Sequence, residues 1–169
     1  TAVDPVATEV QSLFEQAFSE YDTSNYNAAV STFTKAYMLS SEIREEGLRG
    51  RVRSTLLFNL ARAHMKAYGV DDDAEHLRQA KELFIKFSEL YSDDKEQDEE
   101  AKRFLDEAQS ELDRLAAEEE AAEKLIAQQR IENGAANDKA DSLAKSPLML
   151  SGIITTSLAA PAMGVFIGG

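Results

Sequence analysis

The chain has 169 residues, enough for one folded domain and an appendage, and carries 31 acidic against 18 basic side chains for a formal charge of -13. That balance repels nucleic-acid phosphates and anionic lipid headgroups. There is no cysteine, so disulfides, thiolate zinc sites and thiol catalysis are excluded, and either cytoplasm or periplasm is compatible.

The chain begins at Thr1 rather than Met, and its first ten residues, TAVDPVATEV, read as a mature N-terminus left by signal cleavage or as a trimmed chain. Asp4-Pro5 has the form of a helix N-cap followed by the first helical position. Val6, Val10, Leu13, Phe14, Ala17, Phe18 and Tyr21 then recur at helical spacing. Asp22-Thr23-Ser24-Asn25 is a turn, and Tyr26, Ala29, Val30, Phe33, Ala36 and Tyr37 form a second stripe, which predicts a helical hairpin.

Ser41 to Arg53, charged and containing Gly47 and Gly50, reads as a longer, partly helical connection. A third helix is predicted from Ser54 to Tyr68, with Leu56, Leu57, Leu60, Ala61 and Ala63 buried. Gly69 to Asp73 is the next break, and a fourth helix carries Leu77, Ala80, Leu83, Phe84, Phe87, Leu90 and Tyr91. Gln97 to Glu132, rich in Glu, Ala and Lys and free of Gly and Pro, predicts one helix of about 50 Å. Its first half has an apolar face able to close the domain. Its second half thins to alanines that fit solvent or a weak coiled coil. Asn133-Gly134 is the expected stop, and Ala135 to Ser146 a small-residue linker.

Pro147 to Gly169 contains no charged side chain and is long enough to cross the ~30 Å core of a bilayer as a helix. Gly152, Thr156, Ala160, Gly164 and Gly168 recur every fourth residue, a face on which membrane helices approach closely. Pro161 is expected to kink the span, and the run ends without a polar flank, so the natural chain is expected to continue past Gly169. The domain expectation is therefore residues 1–92 as two helical hairpins, 93–133 as a long acidic helix, 134–146 as linker and 147–169 as a transmembrane helix.

Two segments carry an internal echo. Ala17, Tyr21, Tyr26, Ala29, Phe33 and Ala36 in the first hairpin compare with Ala61, Ala80, Phe84 and Phe87 in the second. This arrangement resembles the tetratricopeptide repeat, a helix–turn–helix unit that stacks to form a concave binding face. The second copy departs from it: some seven extra residues separate Ala61 from Ala80, and Phe87 stands where a small residue is expected. The layout, carried by the run from Phe84 to Asp94 and by Glu100 to Ala108, also looks like a group of bacterial envelope proteins with a glycine-rich membrane segment. The resemblance implies an all-α scaffold binding other proteins along its groove-lining helices, with Phe14, Phe18, Asn59, Arg62, His64 and Lys66 as candidate groove residues. In chaperone-adaptor repeats Asn59 would match one position of a carboxylate clamp, but the first-repeat clamp positions fall at Phe14 and Phe18, which cannot hold a carboxylate.

No reaction chemistry is legible. Gly47 to Arg51 lacks the ending of a phosphate loop, no His-Glu-x-x-His motif occurs, and no serine sits in a Gly-x-Ser-x-Gly setting. Asp71-Asp72-Asp73 lacks the glycine and terminal glutamate of a calcium loop and reads as a solvated loop. His64 and His76 fall in separate predicted elements. The expectation is a non-enzyme without cofactor or metal, bound to membrane-complex subunits, to itself and to the bilayer, but not to nucleic acid. A bacterial inner-membrane location with a periplasmic domain is expected; Lys139 and Lys145 favour the cytoplasmic alternative. The other readings are a soluble chaperone or adaptor with an apolar partner-binding tail, and an oligomeric pore component.

Overall fold

A computed structural model describes residues 4–91 and 94–144. Its described residues are all-α: α1 (Pro5–Asp22), α2 (Tyr26–Leu39), α3 (Glu46–Asp71), α4 (Ala74–Tyr91) and α5 (Lys95–Ala144), with a 3-10 turn at Ser40–Glu42. The chain divides into two units, Thr1–Glu120 and Ala121–Gly169. The expected membrane span, with its face of Gly152, Thr156, Ala160, Gly164 and Gly168, lies outside the described residues. Among the described residues no helix is long and apolar enough to cross a membrane.

α1 begins as its sequence dictates. The Asp4 Oδ1 accepts the Val6 N–H at 3.0 Å, and Pro5 fills the first helical position, where a missing N–H costs nothing. The helix ends at a turn in which Ser24 takes a left-handed φ of 61°, a conformation short polar residues tolerate better than bulky ones. α2 returns antiparallel. Ala17, Ala29 and Ala36 are fully buried where the two helices meet, which lets Phe33 fill the space beside them, edge-on to Phe14 at 5.8 Å.

The connection to the second hairpin is shorter than the sequence suggests. α3 starts at Glu46 rather than Ser54, because Glu45 caps it: its carboxylate accepts the Gly47 and Leu48 N–H groups at 3.0 and 2.6 Å. Glycine suits position 47, since a Cβ there would lie 2.8 Å from the Glu45 Oε1. At its other end α3 runs through Gly69 to Asp71, so the expected five-residue break shrinks to Asp72-Asp73. The seven additional residues between Ala61 and Ala80 are thus absorbed as extra helix.

α3 and α4 form the second hairpin. Leu57, Phe58, Ala61, Ala80, Phe84 and Phe87 share a core cluster with Ala101 of α5. Phe87, the departure from the repeat pattern, is fully buried with its ring 5.2 Å from that of Phe58. Phe104 of α5 stacks on Phe84 at 5.4 Å, so the first part of α5 packs against the second hairpin. Tyr37 and Leu83 pack against both core clusters and join the hairpins; Arg53 lies 4.3 Å above the Tyr37 ring.

α5 does not stop at Asn133-Gly134. It continues to Ala144, through the stretch expected to be a linker. Glycine inside a helix costs roughly 0.5–1 kcal/mol relative to alanine, a penalty that the surrounding alanines and charged helix formers outweigh. In the second unit the side chains of residues 121–135 are exposed, Leu125, Ile126 and Ile131 among them.

Candidate functional site

The first helices of the two hairpins, α1 and α3, border a cleft of about 180 Å³. Ala7, Val10, Gln11 and Phe14 of α1 line one side, and Arg51, Val52, Thr55 and Leu56 of α3 the other. Each set repeats at three- and four-residue steps, so each is one face of its helix. The lining is mostly apolar. Arg51 is its cation, exposed and in no ion pair among the described residues.

The sequence-derived groove residues distribute unevenly around this cleft. Phe14 lines it, and Phe18, 43 % exposed, continues the α1 face by stacking on Phe14 at 6.1 Å. Asn59, Arg62 and Lys66 continue the α3 stripe beyond Thr55 at helical spacing. Asn59 turns its amide back on its own helix, donating to the Thr55 carbonyl at 2.8 Å. Arg62 reaches toward α1, its guanidinium 5.6 Å from the Tyr21 ring and 6.0 Å from the Phe58 ring. Lys66 is exposed.

His64 does not share this stripe. Its ring faces α4, where its Nδ1 lies 2.8 Å from the Nδ1 of His76. Burial, then the neighbouring His76, lowers its pKa to about 4, with Glu75 opposing. Among the described residues no group of three or more His, Asp or Glu side chains is arranged to hold a metal ion.

The sequence reads Asp71-Asp72-Asp73 only as a solvated loop. All three are exposed, but each has a separate structural task. Asp71 accepts the Asp73 N–H at 3.1 Å; Asp72 adopts a left-handed φ of 55° as the C-cap of α3; Asp73 caps α4 by accepting the Glu75 N–H at 2.9 Å. Asp71 also accepts the Asn27 side-chain amide of α2 at 2.9 Å, which ties the turn to the first hairpin. A signal for the histidine contact was present. His64 lies three residues past Ala61 and His76 four before Ala80, so a hairpin that packs Ala61 against Ala80 also brings the imidazoles opposite each other.

Searched against known proteins, the sequence matches no protein-family model and no curated protein.

Proposed function

We propose that this chain is a membrane-anchored scaffold of tetratricopeptide-like hairpins, which binds a segment of another protein in the cleft between α1 and α3 within a larger membrane assembly. The observation that carries this reading is the cleft itself: two helix faces, mostly apolar, with one cation, Arg51, that is in no ion pair among the described residues. Burial of apolar side chains would supply affinity, and the guanidinium would orient a polar or acidic group of the guest. Binding, not catalysis, is the role such a surface supports, and no cofactor enters it. The uncharged run from Pro147 to Gly169 supports the anchor, in the bacterial inner membrane with the helical domain on the periplasmic side.

The test is proximity cross-linking in native membranes, comparing the unaltered chain with Val52→Glu. A carboxylate placed in the cleft is expected to remove the partner bands while far-UV circular dichroism keeps its helical signal. An unchanged partner set would refute the cleft as the binding surface. Carbonate washing tests the anchor separately: the full chain should stay with the membrane, and a chain lacking residues 147–169 should be released.

A further inference from the structure

The only two histidines of the chain meet across the second hairpin. Their Nδ1 atoms are 2.8 Å apart, a hydrogen-bond length. Two nitrogens sharing a tetrahedral zinc ion would stand farther apart, at about 3.3 Å for bonds of 2.0–2.1 Å. On its far side the His76 Nε2 lies 3.2 Å from the Asp71 Oδ2. That carboxylate is held in place by the Asn27 amide and the Asp73 N–H. A chain of contacts therefore runs from α2 through the end of α3 to α4 and back to the middle of α3.

The carboxylate fixes the proton positions. Asp71 is an acceptor, its pKa lowered chiefly by the Asn27 amide, so the His76 Nε2 carries a hydrogen. A neutral His76 then has its lone pair at Nδ1, and His64 must donate its own Nδ1–H. One added proton is accommodated. His76 becomes an imidazolium donating to Asp71 and to His64, while His64 shifts its hydrogen to Nε2. A second proton is not accommodated, because two N–H donors and two positive charges would then face each other.

We propose that Asp71, His76 and His64 form a proton-operated latch across the α3–α4 turn, closed while the facing nitrogens share one hydrogen and opened when both rings are fully protonated. The surrounding charges are few. Glu75 of α4 acts on His64, and Asp71 of α3 acts on His76. α2 contributes the neutral Asn27, and the Glu111 and Arg114 side chains of α5 engage Tyr68 and each other one turn farther along α3. Opening separates His64 of α3 from His76 of α4, so acid loosens the α3–α4 turn before the core unfolds.

The test uses the full 169-residue chain in detergent with isotope-labelled histidine, titrated by NMR from pH 8 to pH 3.5. His64→Asn and His76→Asn assign the two rings. At neutral pH the nitrogen shifts should show His64 with hydrogen on Nδ1 and His76 with hydrogen on Nε2. His64 should take its proton at least about one pH unit below the ordinary value of about 6.5, and nearer to it in His76→Asn. Amide exchange at residues 71–74, taken relative to the intrinsic rate at each pH, should rise about tenfold across the His64 transition in the unaltered chain, and not in His64→Asn. Independent titration of both rings near 6.5, or the same tautomer on both, would overturn the latch. So would exchange at the turn that is equally acid-sensitive in His64→Asn. Two different tautomers and two separated midpoints in the unaltered chain need no assignment, so those readings stand even if a variant folds poorly.

Discussion

The Asp4 carboxylate joins residues forty positions apart: its Oδ2 accepts the backbone N–H of Arg44 at 3.0 Å while its Oδ1 caps α1 through Val6. One side chain thus starts the first helix and pins the segment that leads into the second hairpin. The Arg44 amide is the first cause holding the Asp4 carboxyl below its ordinary value. Asp4→Ala should lower the melting temperature by roughly 2–4 °C, the size of a lost N-cap in a chain of this length. The sign of the pH dependence follows from the depressed folded value. The contribution is complete above the ordinary carboxyl range and disappears as pH falls through the folded pKa, so the melting difference between unaltered chain and variant should close below about pH 4.

Ala61 and Ala80 are both fully buried in the second hairpin, where α3 and α4 come close. Ala61→Leu should force these helices apart at a cost of about 1–3 kcal/mol. Phe84→Ala, which empties the space those alanines create, should cost about 3–5 kcal/mol. Urea unfolding followed by circular dichroism checks both. Equal, negligible changes would mean that the hairpin is not packed on these residues.

Tyr68 donates to the Glu111 Oε1 at 2.8 Å, and Arg114 engages the same carboxylate. Arg114 first, then Tyr68, bring the Glu111 pKa down to about 2. The contribution of this contact is present above the ordinary glutamate value near 4.3 and fades as pH falls from there toward 2. Carboxyl NMR titration should show the Glu111 midpoint rising in Tyr68→Phe and rising further in Arg114→Gln. An unchanged midpoint in both would separate α5 from α3 at this contact.

Helix α5 passes through Gly134, beside which there is open space for a side chain. Gly134→Ala should strengthen the helix locally by roughly 0.5–1 kcal/mol, slowing amide exchange around residue 134, and Gly134→Pro should end it there. Exchange indifferent to both substitutions would restore the linker read from the sequence.

The apolar stripes, the Asp4-Pro5 start, the turn at residues 22–25 and the small residues at positions 17, 29, 61 and 80 determined the helices and their pairing into hairpins, because helical periodicity and steric closeness act between near neighbours in the chain. The sequence places the start of α3 at Ser54 rather than Glu46 because glutamate is an uncommon cap, and the end of the long helix at Asn133-Gly134 because Asn-Gly more often breaks a helix than sits within one. Which polar side chains meet across the fold was decided by the tertiary structure alone: Asp4 with Arg44, Asn27 with Asp71, and Tyr68 with Glu111. Those contacts turn on hydrogen-bond distances set by the packing of whole helices, and helical spacing constrains which face a residue occupies without fixing what stands opposite it.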